Sequence, residues 1–251
     1  MQDYLAEINN NFSVFDKDWR NSQKRISKKL SKSHNSTYYI ESYKRIISLQ
    51  AWRTCFLEQQ IDEASLGFFL EAQNDALMSL VLAQQGIWRS SLKSLRSVID
   101  NILFCIYYMD HPVEHRLWNN GKKSPTMSFF FEYLKKHPDL RDVSCNINGI
   151  EIMENEWRTL SRAVHGSAKS FRMTAQGKIP SLFSSAIDKV GAWSTRESKC
   201  LLGVNLMLVS LFKEHLQGAK MRNLRKAISL VILKAKHASI KSELNIHLYD
   251  F

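Results

Sequence analysis

The fold of this chain is decided by residues 62–109, DEASLGFFLEAQNDALMSLVLAQQGIWRSSLKSLRSVIDNILFCIYYM. Apolar residues recur there at steps of three and four, the period of an amphipathic helix, on both sides of Gly86. Glycine weakens a helix, and at this position it interrupts the pattern. The stretch therefore predicts two long helices, about Asp62–Gln85 and Ile87–Met109, that fold back on each other as an antiparallel hairpin.

The same helical period extends over most of the remaining chain. It is present at residues 37–58, 151–164, 194–216 and 221–235, with shorter stretches at 112–118 and 124–134. Ser194 and Glu197 match a capping box, which predicts that one helix begins at residue 194. The chain has only 9 Gly and 4 Pro in 251 residues, too few for the many turns of an all-β protein. We predict an all-α protein, a single bundle of long antiparallel helices.

The first 36 residues differ from the rest of the chain. They are rich in Ser, Lys and Asn, and they end in Ser33-His34-Asn35-Ser36, which is typical of a loop. The sequence favours a short helix around Tyr4–Phe12 and an amphipathic basic helix around Trp19–Leu30 before it. We therefore divide the chain into a basic N-terminal arm, residues 1–36, and a helical domain, residues 37–251.

The net charge of +11 is concentrated in two segments, residues 17–32 and 213–241. Seven bases in the first are opposed by Asp18 alone, and eight in the second by Glu214 alone. Such segments attract polyphosphate, which indicates RNA as a partner. The alternatives are a solubilising surface or an acidic protein partner. The candidate nucleic-acid-binding residues are Lys24, Arg25, Lys28, Lys29, Arg222, Arg225 and Lys226.

Several other classes of protein are disfavoured by the sequence. The four cysteines are scattered, so we expect reduced thiols and not a disulfide framework. No basic and apolar secretory signal is present near Met1, and the most apolar runs are shorter than the roughly 20 residues of a membrane span. We expect a cytoplasmic protein with no membrane segment. His111 and His115 are four apart, but Pro112 places His111 at a helix cap and no third ligand is apparent, so we expect no metal and no cofactor.

Residues 156–167, EWRTLSRAVHGS, are the best candidates for chemistry. Seven residues make almost two helical turns, so Arg158 and His165 project from nearly the same side, roughly 10.5 Å apart along the axis. Arg162 and Ser161 lie between them. RNA is cut without a metal when its own 2′-hydroxyl attacks the neighbouring phosphorus, which requires a group that moves a proton and cations that hold the phosphate. The simpler interpretation is a histidine that complements the helix dipole, beside two surface arginines.

An arginine followed after four to six residues by a histidine, on a helix of an all-α protein, resembles the motif of the HEPN superfamily. Arg158 and His165, separated by six residues, match it, with polar Thr159 after the arginine. The resemblance implies a small helical bundle, often a homodimer, with metal-independent ribonuclease activity in toxin–antitoxin, CRISPR-linked or phage-defence systems. It gives Arg158 and His165 the catalytic roles, and we add Arg162 as an assisting cation.

A second resemblance lies in residues 86–101, GIWRSSLKSLRSVIDN, which are similar to the helix before the motif in some bacterial HEPN-like proteins. Arg96 and Asp100 are four apart on one face there. They either form a structural ion pair within the bundle or position the helix of Arg158 and His165. Together these features predict an endoribonuclease that acts as a toxin or phage-defence effector, restrained by an antitoxin or other defence partner. The alternative is a non-catalytic HEPN-like module that binds nucleic acid or a defence protein.

Overall fold

The computed structural model describes residues 2–122, 124–165 and 188–250. Within those ranges the chain consists of helices and turns and contains no β-strand, so the all-α prediction is confirmed. The helices of eight or more residues are α1 Gln2–Leu30, α2 Ser33–Trp52, α4 Glu63–Gln84, α5 Trp88–Asp110, α6 Pro112–Asn119, α7 Met127–Lys136, α9 Ile150–His165, α10 Asp188–Leu211, α11 Arg222–Ser229 and α12 His237–Leu244. The short helices α3 Glu58–Gln60 and α8 Pro138–Arg141 lie between them, and a π-helical turn, Arg53–Leu57, follows α2.

The predicted hairpin is present as α4 and α5, which pack together along their lengths. The carboxylate of Asp62 caps α4 by accepting a 2.9 Å hydrogen bond from the backbone N–H of Ser65. Gly86 adopts a φ of 72° between the two helices, a conformation that favours glycine. The hydroxyls of Ser79 and Ser91, one on each helix, lie 3.0 Å apart in the buried interface. Local turn chemistry and burial thus produce the same hairpin that the apolar period indicates.

Helix α10 forms the centre of the bundle, where it packs against α2, α5 and α9. All residues from Cys200 to Phe212 are buried, which confirms that this apolar run is a core helix. Its one amide, Asn205, accepts a 3.0 Å hydrogen bond from the indole of Trp52 and donates one of 2.9 Å to the hydroxyl of Ser48. In the described residues, no helix combines the length and the apolar character that a membrane crossing requires.

The predicted capping box at residue 194 is wrong. Helix α10 is already formed at Asp188, and Ser194 and Glu197 lie inside it with 8% and 0% of their surface exposed. Val190 and Trp193, upstream of Ser194, are buried, so packing carries the helix through the apparent start signal. The guanidinium of Arg45 on α2 donates to the Glu197 carboxylate at 2.7 Å, where a capping box would place a backbone N–H.

The predicted loop at residues 33–36 is also wrong. Helix α2 begins at Ser33, and only Ser31 and Lys32 separate it from α1. Helix α1 is continuous from Gln2 to Leu30 and not two separate helices. The boundary at residue 36 therefore falls inside α2. Polar residues such as Ser and Asn are common both in loops and at helix starts, which is why the composition misplaced the break.

The C-terminal segment differs from its prediction in where the helix stops. The helix expected at residues 221–235 ends at Ser229, and a separate helix, α12, follows a 3₁₀ turn at Lys234–Lys236. The Ser229 hydroxyl donates 2.6 Å to the carbonyl of Arg225 and accepts from the backbone of Tyr249 at 2.9 Å. The face expected to be inward is buried, as predicted: Leu224, Ile228, Val231 and Ile232.

Candidate functional site on helix α9

Helix α9 presents one continuous solvent-exposed stripe. Its exposed residues recur at steps of three and four: Glu151, Asn155, Arg158, Arg162 and His165. The opposite face, which includes Met153, Leu160 and Ala163, is fully buried. The structure therefore brings the three candidate catalytic residues onto one accessible edge. Gly166 and Ser167, which complete the quoted segment, lie outside the described residues.

The start of α9 is fixed by a close approach to α10. Gly149, just before the helix, has a φ of 71°, and a Cβ there would lie 2.3 Å from the carbonyl oxygen of Gly203. Gly203 in turn leaves no room for a Cβ, which would meet the side chain of Met153 at 2.7 Å. Two glycines thus allow the two backbones to touch, and this contact sets the direction in which α9 leaves the core.

The end of α9 is held by Arg89, a residue that the sequence did not single out. Its Nε donates 3.0 Å to the carbonyl of Ala163, and its Nη2 donates 2.9 Å to the carbonyl of Val164. Both carbonyls belong to the last turn of α9 that the structure describes, which ends at His165. Arg89 belongs to α5, so it ties the turn that carries His165 to the hairpin. Nothing in the sequence distinguishes it from other half-buried arginines.

Arg158 does not project freely from the stripe. Its Nη2 donates 2.5 Å to Oε1 of Glu154, one turn earlier on the same helix. The other oxygen of Glu154 lies 3.0 Å from the ammonium of Lys135 on α7. Hydrogen bonds to the Glu132 and Glu154 carboxylates raise the pKa of Lys135, and the bond to Glu132 has the larger effect. The guanidinium is thus directed toward the N-terminal end of α9, away from His165. Because the Arg158 side chain remains 65% exposed, an anion in solution can still compete for it.

Arg162 and His165 are placed differently. Both side chains are exposed, and within the described ranges neither forms an ion pair or a hydrogen bond. Ser161, the fourth polar residue of this segment, uses its hydroxyl to donate 2.8 Å to the carbonyl of Trp157. The accessible chemical groups at the C-terminal end of α9 are therefore one guanidinium and one imidazole, with the Arg89 guanidinium beneath them on the last carbonyls.

Arg96 and Asp100 pair with each other and also contact helix α9. Their side chains form an ion pair of 3.5 Å, and Asp100 also accepts a 2.6 Å hydrogen bond from the indole of Trp157 on α9. Arg96 lies over the same indole ring, 5.1 Å from its centroid. Burial raises the pKa of Asp100, although Arg96 and the indole oppose that rise. Through the indole of Trp157, the pair links α5 to α9.

A second ionic contact holds α9 from the other side. Glu156 is 4% exposed, and both of its carboxylate oxygens accept from Nη1 of Arg196 on α10, at 2.9 and 3.1 Å. A buried carboxylate requires such a partner, because burial without one costs several kcal/mol. The sequence contains no short-range signal for this contact, since 40 residues separate its members.

The two basic segments attach to different ends of α2. Lys24, Arg25, Lys28 and Lys29 are exposed on α1, which joins the N-terminal end of α2. Lys24 and Lys28, with Gln85 across from them, line an open groove of about 530 Å³. Helix α11, which carries the second set, packs on α2 and on the π-helical turn that follows it.

The second basic segment offers fewer available cations than its sequence suggests. Arg222 is exposed and Lys226 is half-buried. Arg225 donates from Nη1 to the carbonyls of Leu216 and Gly218, at 2.6 and 2.9 Å. This guanidinium holds the turn that precedes α11 and is not available to a ligand. The groove on α1, whose lysines are exposed, is therefore the stronger candidate for binding polyphosphate.

His111 and His115 do not assemble a metal site. His111 stacks on Tyr107, with Nδ1 2.9 Å from that residue's carbonyl, and His115 packs against Phe68 and Trp118. In the described part of the chain, no group of three or more His, Cys, Asp or Glu side chains is arranged to hold an ion. The four cysteines are free thiols, as expected.

Comparison with known proteins identifies no family for this chain, because no family model, no curated protein and no solved structure matches it. The function must therefore be argued from the geometry of α9 and the resemblance of its motif.

Proposed function

We propose that the protein is a metal-independent endoribonuclease of the HEPN type, with its reacting groups at the C-terminal end of α9. The observation that carries this proposal is the exposed stripe on which Arg158, Arg162 and His165 follow one another. An imidazole titrates near neutral pH, and guanidinium groups hold phosphate in a planar, two-point geometry. These are the two kinds of group that the reaction requires.

In the proposed reaction, the RNA 2′-hydroxyl attacks the adjacent phosphorus. The bond from phosphorus to the 5′-oxygen breaks, which leaves a 2′,3′-cyclic phosphate and a 5′-hydroxyl. His165 takes the proton from the 2′-hydroxyl as that oxygen bonds to phosphorus and returns a proton to the 5′-oxygen as it leaves, and Arg162 holds the phosphate and the charge that develops on it. Arg158 joins it by exchanging the Glu154 carboxylate for a phosphate oxygen. Arg89 keeps the last turn of α9 in place during the step.

We further propose that this activity serves a toxin or phage-defence effector that acts on cellular or viral RNA. The resemblance to HEPN proteins supports that role, and it also supports a homodimer and control by an antitoxin or another defence-system partner. The groove lined by Lys24 and Lys28 is then where the RNA backbone enters.

A second candidate function is a non-catalytic module of the same shape that binds nucleic acid or a defence protein. The contact of Arg158 with Glu154 favours it, because a guanidinium held on a carboxylate within its own helix is also what a purely structural arginine shows. In that case the basic residues of α1 provide the binding, and α9 has no chemical role.

The two candidates are separated by cleavage of mixed RNA in excess EDTA. We expect the wild type to produce fragments with cyclic phosphate ends, and His165→Ala to lower the rate by about 10²–10⁴-fold without changing RNA affinity. His247→Ala, another exposed histidine far along the chain, is the matched control and should cleave normally. If the wild type binds RNA but leaves it intact, the binding module is the correct function.

A further inference from the structure

Helix α5 turns four polar residues toward α9, and three of them bind it. They recur at steps of four, three and four on one side of the helix: Arg89, Lys93, Arg96 and Asp100. Arg89 holds two carbonyls in the last turn of α9, and Asp100 and Arg96 contact the indole of Trp157. Lys93 lies between these two contacts in the chain, so it belongs to the side of α5 that borders α9.

The two contacts also set the level of Lys93 along α9. The helices run in opposite directions, because Arg89 meets the last turn of α9 and Asp100 meets it about two turns earlier. Lys93 therefore faces the stretch between them, at the level of Ser161. His165 follows Ser161 by about 6 Å along the axis, and the axes of packed helices lie roughly 8–10 Å apart. We call this strip, with Lys93 on one rim and His165 on the other, the α5–α9 seam.

The charges along the α5–α9 seam are not balanced. Lys93 is exposed and, among the residues that the structure describes, its side chain forms no ion pair or hydrogen bond. Asp100 and Glu154, the carboxylates that border the seam, are already engaged by Arg96 and Arg158. Cations that lack a counter-charge within the protein attract a polyanion from solution. Lys93 is therefore available to a ligand that approaches the imidazole end of α9.

The α5–α9 seam adjoins the groove on α1. Gln85, which lines that groove with Lys24 and Lys28, ends α4 just before the turn at Gly86, and Arg89 lies in the first turn of α5 just after it. The groove and the end of α9 are therefore on either side of one turn. A ligand that occupies both must carry negative charges at intervals along an extended chain, and a single RNA strand has this property.

We propose that an RNA strand lies along the α5–α9 seam and that Lys93 binds the phosphate next to the one held by Arg162. The position of the second phosphate rests on the proposed ribonuclease function, whereas the binding of RNA at Lys93 does not. An ammonium group on a flexible stem serves as a point charge for phosphate. Lys93 is thus a positioning residue, which aligns the strand and takes no part in the proton transfer by His165.

Fluorescence anisotropy of the full chain with a labelled RNA strand whose 2′-hydroxyls are methylated tests binding apart from cleavage, because such a strand cannot attack its own phosphorus. Lys93→Ala should weaken binding by about three- to tenfold at low salt. It should also reduce the slope of log affinity against log salt concentration by about 0.7, the value for one phosphate contact on a single strand. Lys93→Arg should keep both values. Lys241→Ala, which removes an exposed lysine on α12, is the matched control and should leave the slope unchanged.

Cleavage of unmodified RNA separates positioning from chemistry. Lys93→Ala should raise KM by a factor similar to its loss of affinity and leave kcat within about twofold, whereas Arg162→Ala should lower kcat. If the wild type leaves RNA intact and Lys93→Ala still lowers the salt slope, the ribonuclease proposal fails and RNA binding at Lys93 stands.

Two results would overturn the assignment of Lys93 to RNA. The first is a salt slope that Lys93→Ala leaves at the wild-type value. The second comes from a labelled poly-glutamate peptide in the same anisotropy experiment. If the peptide binds as tightly as the RNA and loses as much affinity in Lys93→Ala, the α5–α9 seam is a docking site for an acidic protein.

Discussion

The indole of Trp157 donates a 2.6 Å hydrogen bond to the carboxylate of Asp100. This contact joins the helix that carries the candidate site to the hairpin that forms the core, across 57 residues of sequence. The same carboxylate pairs with Arg96, whose guanidinium also covers the indole ring. The position of Arg162 and His165 in space therefore depends on a group that neither of them touches.

Asp100→Ala should destabilise the protein by about 1–3 kcal/mol, because it leaves the Trp157 indole and the Arg96 guanidinium half-buried without their acceptor. The free energy of unfolding in urea measures this loss. Asp142→Ala, at an aspartate whose side chain is 78% exposed, is the control and should change the value by less than about 0.5 kcal/mol. Equal effects of the two substitutions would contradict the anchoring role.

Gly149→Ala should cost about 2–4 kcal/mol, since the new Cβ meets the Gly203 carbonyl at 2.3 Å and the φ of 71° strains any other residue. Gly121→Ala separates the two causes. Gly121 has a φ of 88° but open space around its Cβ, so it should cost only about 1 kcal/mol, the backbone part alone. Thermal or urea unfolding of both variants measures the difference, and similar losses would show that the contact with α10 is not tight.

Arg89→Ala should loosen the last turn of α9 more than it loosens the rest of the protein. The change removes two charge-assisted hydrogen bonds to the carbonyls of Ala163 and Val164, so we expect faster amide exchange in the last turns of α9 and a stability loss of about 1–3 kcal/mol. Lys93→Ala, an exposed base one turn further on α5, is the control. A uniform increase in exchange over the whole chain would argue against a local role for Arg89.

Glu154→Gln should strengthen RNA binding a few-fold at low salt if Arg158 binds phosphate. The substitution keeps the shape of the side chain, removes the carboxylate that holds the guanidinium and removes a negative charge beside the stripe. The gain should disappear in the double variant with Arg158→Ala. Fluorescence anisotropy with a labelled RNA measures both, and a gain that persists in the double variant would assign the effect to net charge alone.

The stability of the protein should depend on pH through Glu197. Burial raises the pKa of this carboxyl to about 7, although Arg45 opposes the rise, whereas in the unfolded chain it lies near 4.5. Between these values the folded protein holds a proton that the unfolded chain has lost, so the free energy of unfolding should fall as the pH rises from about 4.5 to 7, by at most about 1.4 kcal/mol per pH unit.

Glu197→Gln cannot release this proton, so its unfolding free energy should lack the corresponding slope. The test is the difference between wild type and variant in urea unfolding at several pH values, which cancels the titration of all other groups. A difference that stays constant from pH 5 to 7.5 would show that Arg45 keeps Glu197 ionised throughout.

The sequence pattern predicts this fold well where the spacing of neighbouring residues is enough to decide the local conformation. The apolar period around Gly86 is sufficient for α4 and α5, and the spacing of Arg158, Arg162 and His165 is sufficient to place them on one side of a helix. It fails where a local signal competes with packing. Ser194 and Glu197 have the spacing of a helix start, yet they lie mid-helix because Val190 and Trp193 before them are buried.

The sequence by itself determined that the chain is helical, where its hairpin turns and which polar groups share a face of α9, because each follows from the periods of neighbouring residues. The tertiary structure alone decided that Arg89 holds the end of that helix and that Glu156 and Glu197 are paired with arginines inside the bundle. It also decided that the N-terminal half of α1 extends past the rest of the bundle. These contacts join residues far apart in the chain, and the cost of burying a charge selects such partners only once the helices have packed.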